Sequence, residues 1–215
     1  MTSREVRARI EETGIVAAVR LDSPEDAQFA ADALVAGGIP AVEIPLTVPH
    51  ATKVIAQLAK RTPQIAVGAG GVSDTALARQ SLDAGARFIT TDGLYPAVIE
   101  FAVKQDIVVL AGALTPTEVM AAWEAHADFV KVVPCAHIGG ELYVRSLHKM
   151  FPRIPLIAAG GVSQKNAAKF IFAGATALGI GRELLPPEAL RLRQAGRISN
   201  LAQRFLTFVK SGREH

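Results

Sequence analysis

Residues 129–134 read FVKVVP, from Phe129 to Pro134, and set a single lysine inside an otherwise apolar run. A short run rich in β-branched residues that ends at proline has the pattern of a strand. Period-two alternation places Lys131 on one face with Phe129 and Val133, and Val130 and Val132 on the other. Both faces are apolar apart from the lysine, as expected of a strand in a parallel sheet covered on both sides.

Working outward, seven more runs have the same character: IVAAVR from Ile15, AVEIPL from Ala41, IAVGAG from Ile65, RFITTD from Arg87, IVVLAG from Ile107, LIAAGG from Leu156 and ALGIG from Ala177. Amphipathic stretches separate them, and the unit repeats about every 20 to 26 residues, the length of a strand plus a helix. Helix starts are marked at Ser23-Pro24-Glu25, Ser73-Asp74, Pro116 with Glu118, and Ser163, and helix ends at Gly37, Gly85 and Gly174. Eight such units predict an α/β fold, a closed (β/α)₈ or TIM barrel forming one domain over residues 1–215, with an open doubly wound sheet as the rival. GGVS occurs at Gly70–Ser73 and again at Gly160–Ser163, four units apart, an echo of two half-barrels or a coincidence of glycine-rich strand ends.

Bulk properties narrow the function. The 215 residues are half apolar and one fifth charged, with a net charge of +3, so a large core is expected and disorder is not. Lysine and arginine are scattered without a basic and aromatic cluster, which argues against nucleic acid as a partner. A single cysteine, Cys135, excludes an internal disulfide, and the charged N-terminus MTSREVRARIEETG holds no signal-peptide core. Every apolar run is cut before the 18 or more residues of a membrane span. The expectation is a soluble cytoplasmic protein with no membrane partner.

In a barrel of this kind, reactive groups sit at the C-terminal ends of the strands. Two ionisable residues lie inside apolar strands: Lys131, and Glu43 in AVEIPL, where alternation groups it with Ala41 and Pro45. Burying either charge costs several kcal/mol unless it is paired or neutralised. A neutral lysine amine can attack a ketone, the resulting iminium withdraws electrons from the adjoining carbons, and a carboxylate nearby can carry protons. The plainer alternative is a buried Lys131–Glu43 ion pair. Two further alternatives stay open: a phosphate-binding isomerase with Glu43 as base and Lys131 as an electrostatic group, and a barrel that binds a sugar acid without turning it over.

The segments VEIPL, GAG, DGL, ALTPTEV, KVVPCAHIGG, AAGGVS and GIG, in that order, span essentially the whole chain. Together they resemble the 2-keto-3-deoxy-6-phosphogluconate (KDPG) and 4-hydroxy-2-oxoglutarate (KHG) aldolase family, including its 6-phosphogalactonate branch. The most specific match is Lys131, then Pro134, then Gly139-Gly140. The resemblance implies a (β/α)₈ barrel, commonly a homotrimer, that uses no metal or other cofactor. It further implies that the small-molecule substrate is a 2-keto acid, with Lys131 as Schiff-base nucleophile and Glu43 as general acid and base.

The departures from the family also bear on function. Thr47 stands where many members have the arginine that holds the keto-acid carboxylate, and Arg20, at the end of the first strand, is the natural substitute. Gly71 replaces a threonine of GAGTV. Strand four ends Thr91-Asp92-Gly93 in place of Ser-Pro-Gly, which adds a carboxylate to the rim. The last strand is followed by Gly181-Arg182-Glu183 in place of Gly-Gly-Ser. A phosphate site of this fold lies in the loops after strands seven and eight, which here contain Gly160, Gly161, Ser163, Gly181 and Arg182. The same glycines equally suit close strand-to-helix packing. Cys135 reads as a buried filler, His137 as a solvated loop residue, and Trp123 as core or oligomer interface.

Overall fold

The computed structural model describes residues 1–214. Eight parallel strands close on themselves in chain order, so the barrel forms and the open sheet is ruled out. The strands are β1 (Ile15–Ala18), β2 (Ala41–Pro45), β3 (Ala66–Gly70), β4 (Phe88–Thr90), β5 (Val108–Ala113), β6 (Phe129–Val132), β7 (Leu156–Ala159) and β8 (Ala175–Ile180). Each falls on one of the runs identified in the sequence, with ends displaced by a few residues at most.

The helices are α1 (Ser3–Thr13), α2 (Pro24–Ala36), α3 (Ala51–Arg61), α4 (Thr75–Asp83), α5 (Pro96–Lys104), α6 (Pro116–Glu124), α7 (Gly140–Met150), α8 (Ala167–Phe172), α9 (Pro187–Arg191) and α10 (Ala195–Arg213). None among the described residues is long and apolar enough to cross a membrane. Caps set several starts as the sequence implied. Ser23 accepts from the Asp26 amide ahead of Pro24, and Thr115 with Glu118 forms a reciprocal capping box around Pro116.

Two boundary expectations need correction. The helix after β7 begins at Ala167, not at Ser163. The Asn166 side chain accepts from the Ser163 amide and donates to the Gly161 carbonyl, which ties the intervening turn into a closed loop. At the end of α2, Gly37 is right-handed (φ −80°) and the left-handed residue is Gly38 (φ +94°). Gly37 is needed for a different reason: a Cβ there would lie 2.6 Å from Ala202 Cβ, so its absence lets α10 pack against α2. Helix α10 also packs on α8, and so bridges the first and last helices of the ring.

The interior divides into two apolar sets. Side chains on the outer faces of the strands pack against the helices as one continuous cluster. Inward-facing residues near the strand N-termini, among them Val16, Val108, Phe88 and Phe129, form a second cluster together with Val6 and Ile10 of α1. Helix α1 therefore plugs the N-terminal end of the barrel, leaving the C-terminal end as the open one. At that end the inward positions turn small, with Gly70, Gly112 and Gly179 in β3, β5 and β8, so the barrel narrows less and two long polar side chains fit there.

Candidate active site

Those two side chains are Glu43 and Lys131, each only 6% exposed. Gly112 pairs with Lys131 in the β5–β6 register, and Gly70 ends the strand beside β2. The glycines are a geometric requirement: a Cβ on Gly70 would lie 2.1 Å from Glu43 Oε1, inside the carboxylate itself.

The two residues do not pair with each other. Glu43 Oε2 accepts a 2.8 Å hydrogen bond from Thr90 Oγ1, and Lys131 Nζ donates at 2.9 Å to Asp92 Oδ1. The alternative of a buried Lys131–Glu43 ion pair is thus not what forms; each residue has its own contact, both made from the end of β4. The residue between Thr90 and Asp92 fixes the turn. Thr91 Oγ1 donates to the Gly93 carbonyl at 2.7 Å and accepts from the Gly112 amide at 2.8 Å. Its hydroxyl is fully engaged in holding the loop, so its visible role is to position Asp92. Gly112 makes room for that loop, because a Cβ there would stand 2.5 Å from the Gly93 nitrogen.

Burial pushes the Asp92 carboxyl up, but the charge and hydrogen bond of Lys131, with Arg20 adding its charge, leave it below the usual carboxylate range. Asp92 is therefore ionised at neutral pH. Nothing local in the sequence separates Thr90 from a strand-end filler; its contact with Glu43 arises only in the folded barrel. Asp92 was visible there only as an added rim carboxylate.

Arg20 and Thr47 are brought together: Arg20 Nη1 lies 3.5 Å from Thr47 Oγ1, at the long end of hydrogen bonding. An arginine two residues beyond the end of β1, and so outside the strand that the sequence run IVAAVR suggested, reaches over the position that follows the glutamate strand. A cleft of about 760 Å³ runs outward from the ends of β1 and β8, lined by Arg20, Asp22, Gly181, Arg182 and Arg191 among others. Glu183 does not line it. That carboxylate borders a separate outer groove with Arg182, Arg197 and Arg204.

Gly160 and Gly161, both at positive φ, are closely packed. A Cβ on Gly160 would meet Pro134 Cα at 2.7 Å, and one on Gly161 would meet Ala136 Cβ at 2.5 Å. The Gly160 carbonyl accepts from the Ala136 amide at 3.1 Å, so the loops after β6 and β7 are laced together. The Ser163 amide is already taken by Asn166. Gly71 adopts φ +70°, and a Cβ there would come within 3.6 Å of Asp92 Oδ2. Cys135 is buried, and burial pushes its thiol up to about 12, which disfavours the thiolate that a nucleophile needs. Trp123 packs partly buried against the main core. No cluster of metal-binding side chains occurs among the described residues.

A buried lysine and a buried glutamate lie in the wall of a parallel barrel, just inside its open end, with Asp92 against the lysine, and that end is where enzymes of this fold build their active sites. The chain belongs to the KDPG and KHG aldolase family, a family of lyases, whose model matches residues 6–201. It is 32% identical over 206 residues to 2-dehydro-3-deoxy-6-phosphogalactonate aldolase of Escherichia coli (strain K12), covering 93% of this chain and 95% of that one. It is 28% identical over 204 residues to 2-dehydro-3-deoxy-phosphogluconate aldolase of Pseudomonas aeruginosa, covering 95% and 93%. Among solved structures, KDPG aldolase from Legionella pneumophila, with pyruvate captured as a covalent carbinolamine, superposes with a TM-score of 0.85. The sequence identity there is 26%, and the match covers 92% of this chain and 96% of that one.

Proposed function

We propose that this protein is a class I aldolase. It cleaves a 2-keto-3-deoxy-6-phospho sugar acid or 4-hydroxy-2-oxoglutarate to pyruvate and an aldehyde, glyceraldehyde 3-phosphate or glyoxylate. The observation that carries the reading is Lys131, a lysine side chain 6% exposed at the open end of the barrel, in a family whose Legionella member has been captured with pyruvate as a carbinolamine.

In this reading the Lys131 amine adds to the C2 ketone, and loss of water gives an iminium. The iminium draws the C3–C4 bonding pair toward nitrogen as that bond breaks, leaving an enamine and releasing the aldehyde. Glu43, buried and oriented by Thr90, delivers a proton to C3, and water then frees pyruvate. Arg20, with Thr47 beside it, supplies the guanidinium for the keto-acid carboxylate. Gly181 and Arg182, together with the Gly160-Gly161 turn and Ser163, form the side on which a phosphate is received, and Gly71 leaves backbone room beside Asp92. The homotrimer belongs to the same proposal and rests on the family resemblance, while the cytoplasmic location rests on the single cysteine, Cys135.

Borohydride reduction in the presence of pyruvate tests it. The reduced adduct is expected on the peptide that contains Lys131, and release of pyruvate from the two substrate types tells them apart. An adduct on another lysine, or none, rejects the mechanism. A second reading, a barrel that binds a sugar acid without turnover, draws on the Lys131–Asp92 ion pair that engages the amine; tight binding without adduct or product would favour it.

A further inference from the structure

The aldolase reading leaves one carboxylate unused. Asp92 touches Lys131 at 2.9 Å, yet its side chain is 56% exposed against 7% for the lysine. The carboxylate therefore stands on the solvent side of the amine, where a substrate extends once its keto carbon has reached Nζ. Its second oxygen faces Gly71, where a Cβ would still be 3.6 Å away. The other carboxylate, Glu43, is buried and turned to Thr90. The site thus holds two carboxylates at different depths, and only the outer one contacts the reactive nitrogen.

We propose that Asp92 is the base that takes the proton of the C4 hydroxyl during cleavage and returns it to the aldehyde oxygen during addition. The proposal rests on Lys131 as the imine-forming residue. With C2 bonded to Nζ, the C4 oxygen is only four bonds from that nitrogen and lies on the outward-extending part of the substrate. Asp92 Oδ1 already sits at the edge of the same small volume, at the 2.9 Å contact of the resting pair. A general base must come within about 2.6–3.2 Å of the proton's oxygen, and Asp92 is the carboxylate already in contact with Nζ on the side toward solvent.

The loop is built to hold still. Thr91 bonds Gly93 and Gly112 at once, and Gly112 lets the turn approach the strand closely. In the resting state the lysine amine occupies one oxygen of that carboxylate.

The step balances. The iminium carries one positive charge and Asp92 one negative. As C3–C4 breaks, its pair forms the C2–C3 double bond and the C2–N π pair returns to nitrogen. The hydroxyl oxygen keeps its electrons to make the aldehyde carbonyl, and its proton goes to Asp92. The products are a neutral enamine, a neutral carboxylic acid and an aldehyde. Glu43 then serves C3, so each carboxylate handles a different proton.

The two protons can be followed separately. Borohydride trapping with pyruvate and exchange of the pyruvate methyl hydrogens in deuterium oxide, read by NMR, need the imine and proton transfer at C3 but no C4 oxygen. Cleavage of 4-hydroxy-2-oxoglutarate or of a 2-keto-3-deoxy-6-phospho sugar acid needs both. Asp92→Asn should lower the ratio of cleavage to methyl exchange by about 10² or more, the range for loss of a general base, and Asp92→Glu should restore part of it. Circular dichroism checks the fold of each variant, and Asp92→Ala provides a second substitution with the same expected ratio. Cleavage and exchange falling together, or cleavage unchanged, overturns the role of Asp92 while leaving the imine reading intact. Wild-type enzyme that gives neither adduct nor exchange overturns both.

Discussion

Thr90→Val removes one hydroxyl from the barrel and leaves the shape of the side chain almost unchanged. Thr90 is fully buried, and its Oγ1 is the donor that the structure gives to the Glu43 carboxylate, at 2.8 Å. A hydrogen bond to a charged group contributes about 1.5–3 kcal/mol, and a buried acceptor stripped of its donor bears the cost. For a chain of this length each kcal/mol moves Tm by about 2–4 °C, so the variant should melt about 3–12 °C lower. Glu43 also loses the contact that orients it. If the same free energy is lost in the proton-transfer step, turnover falls by about ten- to a hundredfold, at 1.36 kcal/mol per factor of ten. Thermal melting followed by calorimetry, alongside kcat for pyruvate release, measures both effects. Thr90→Ser keeps a hydroxyl and should recover most of each. A valine variant that melts and turns over like wild type would refute the reasoning, because the hydroxyl would then not be holding the carboxylate.

Three further outcomes are expected. Gly70→Ala forces Glu43 aside, since the new Cβ would overlap its carboxylate; turnover should drop by about 10², the cost of misplacing a reacting group by about an ångström, while circular dichroism still reports a folded barrel. Arg20→Ala should lower the efficiency of adduct formation with pyruvate by about ten- to a hundredfold, and Arg20→Lys should recover only part, because the two parallel donors of the guanidinium are lost. An effect confined to phosphorylated substrates would move Arg20 to the phosphate side instead. Cys135, with its thiol pushed up to about 12, carries little thiolate at pH 8. Iodoacetamide should therefore modify it about 10³-fold more slowly in the folded protein than in guanidinium, as followed by mass spectrometry.

Much of the architecture is legible in the order of residues. Strands and helices are set by local periodicity, and eight β-branched runs separated by amphipathic segments leave few ways to cover both faces of every strand; the closed barrel is the one observed. Lys131 and Glu43 are conspicuous for the same local reason, as charges inside apolar runs. Which groups those charges meet is not a local matter. The lysine and the glutamate lie far apart in sequence and far from their partners, Asp92 and Thr90, which reach them only because barrel closure brings the end of β4 to the mouth. Alternation assigns each side chain a face, whereas barrel closure and the register between strands decide what stands opposite it.

The same limit explains the smaller surprises. Gly37 looks like a left-handed stop but is a packing glycine, because its neighbour Ala202 is distant in sequence. Ser163 looks like a helix cap, yet the Asn166 side chain takes its amide and delays the helix. Helix α1, read from sequence only as too charged for a signal segment, buries Val6 and Ile10 in the barrel floor. The sequence by itself determined the barrel and singled out one lysine and one carboxylate inside its strands, since these follow from short-range pattern and residue chemistry. Tertiary structure alone decided that Thr90 holds Glu43 and that Asp92 holds Lys131, because a hydrogen bond of about 3 Å depends on how the whole sheet closes.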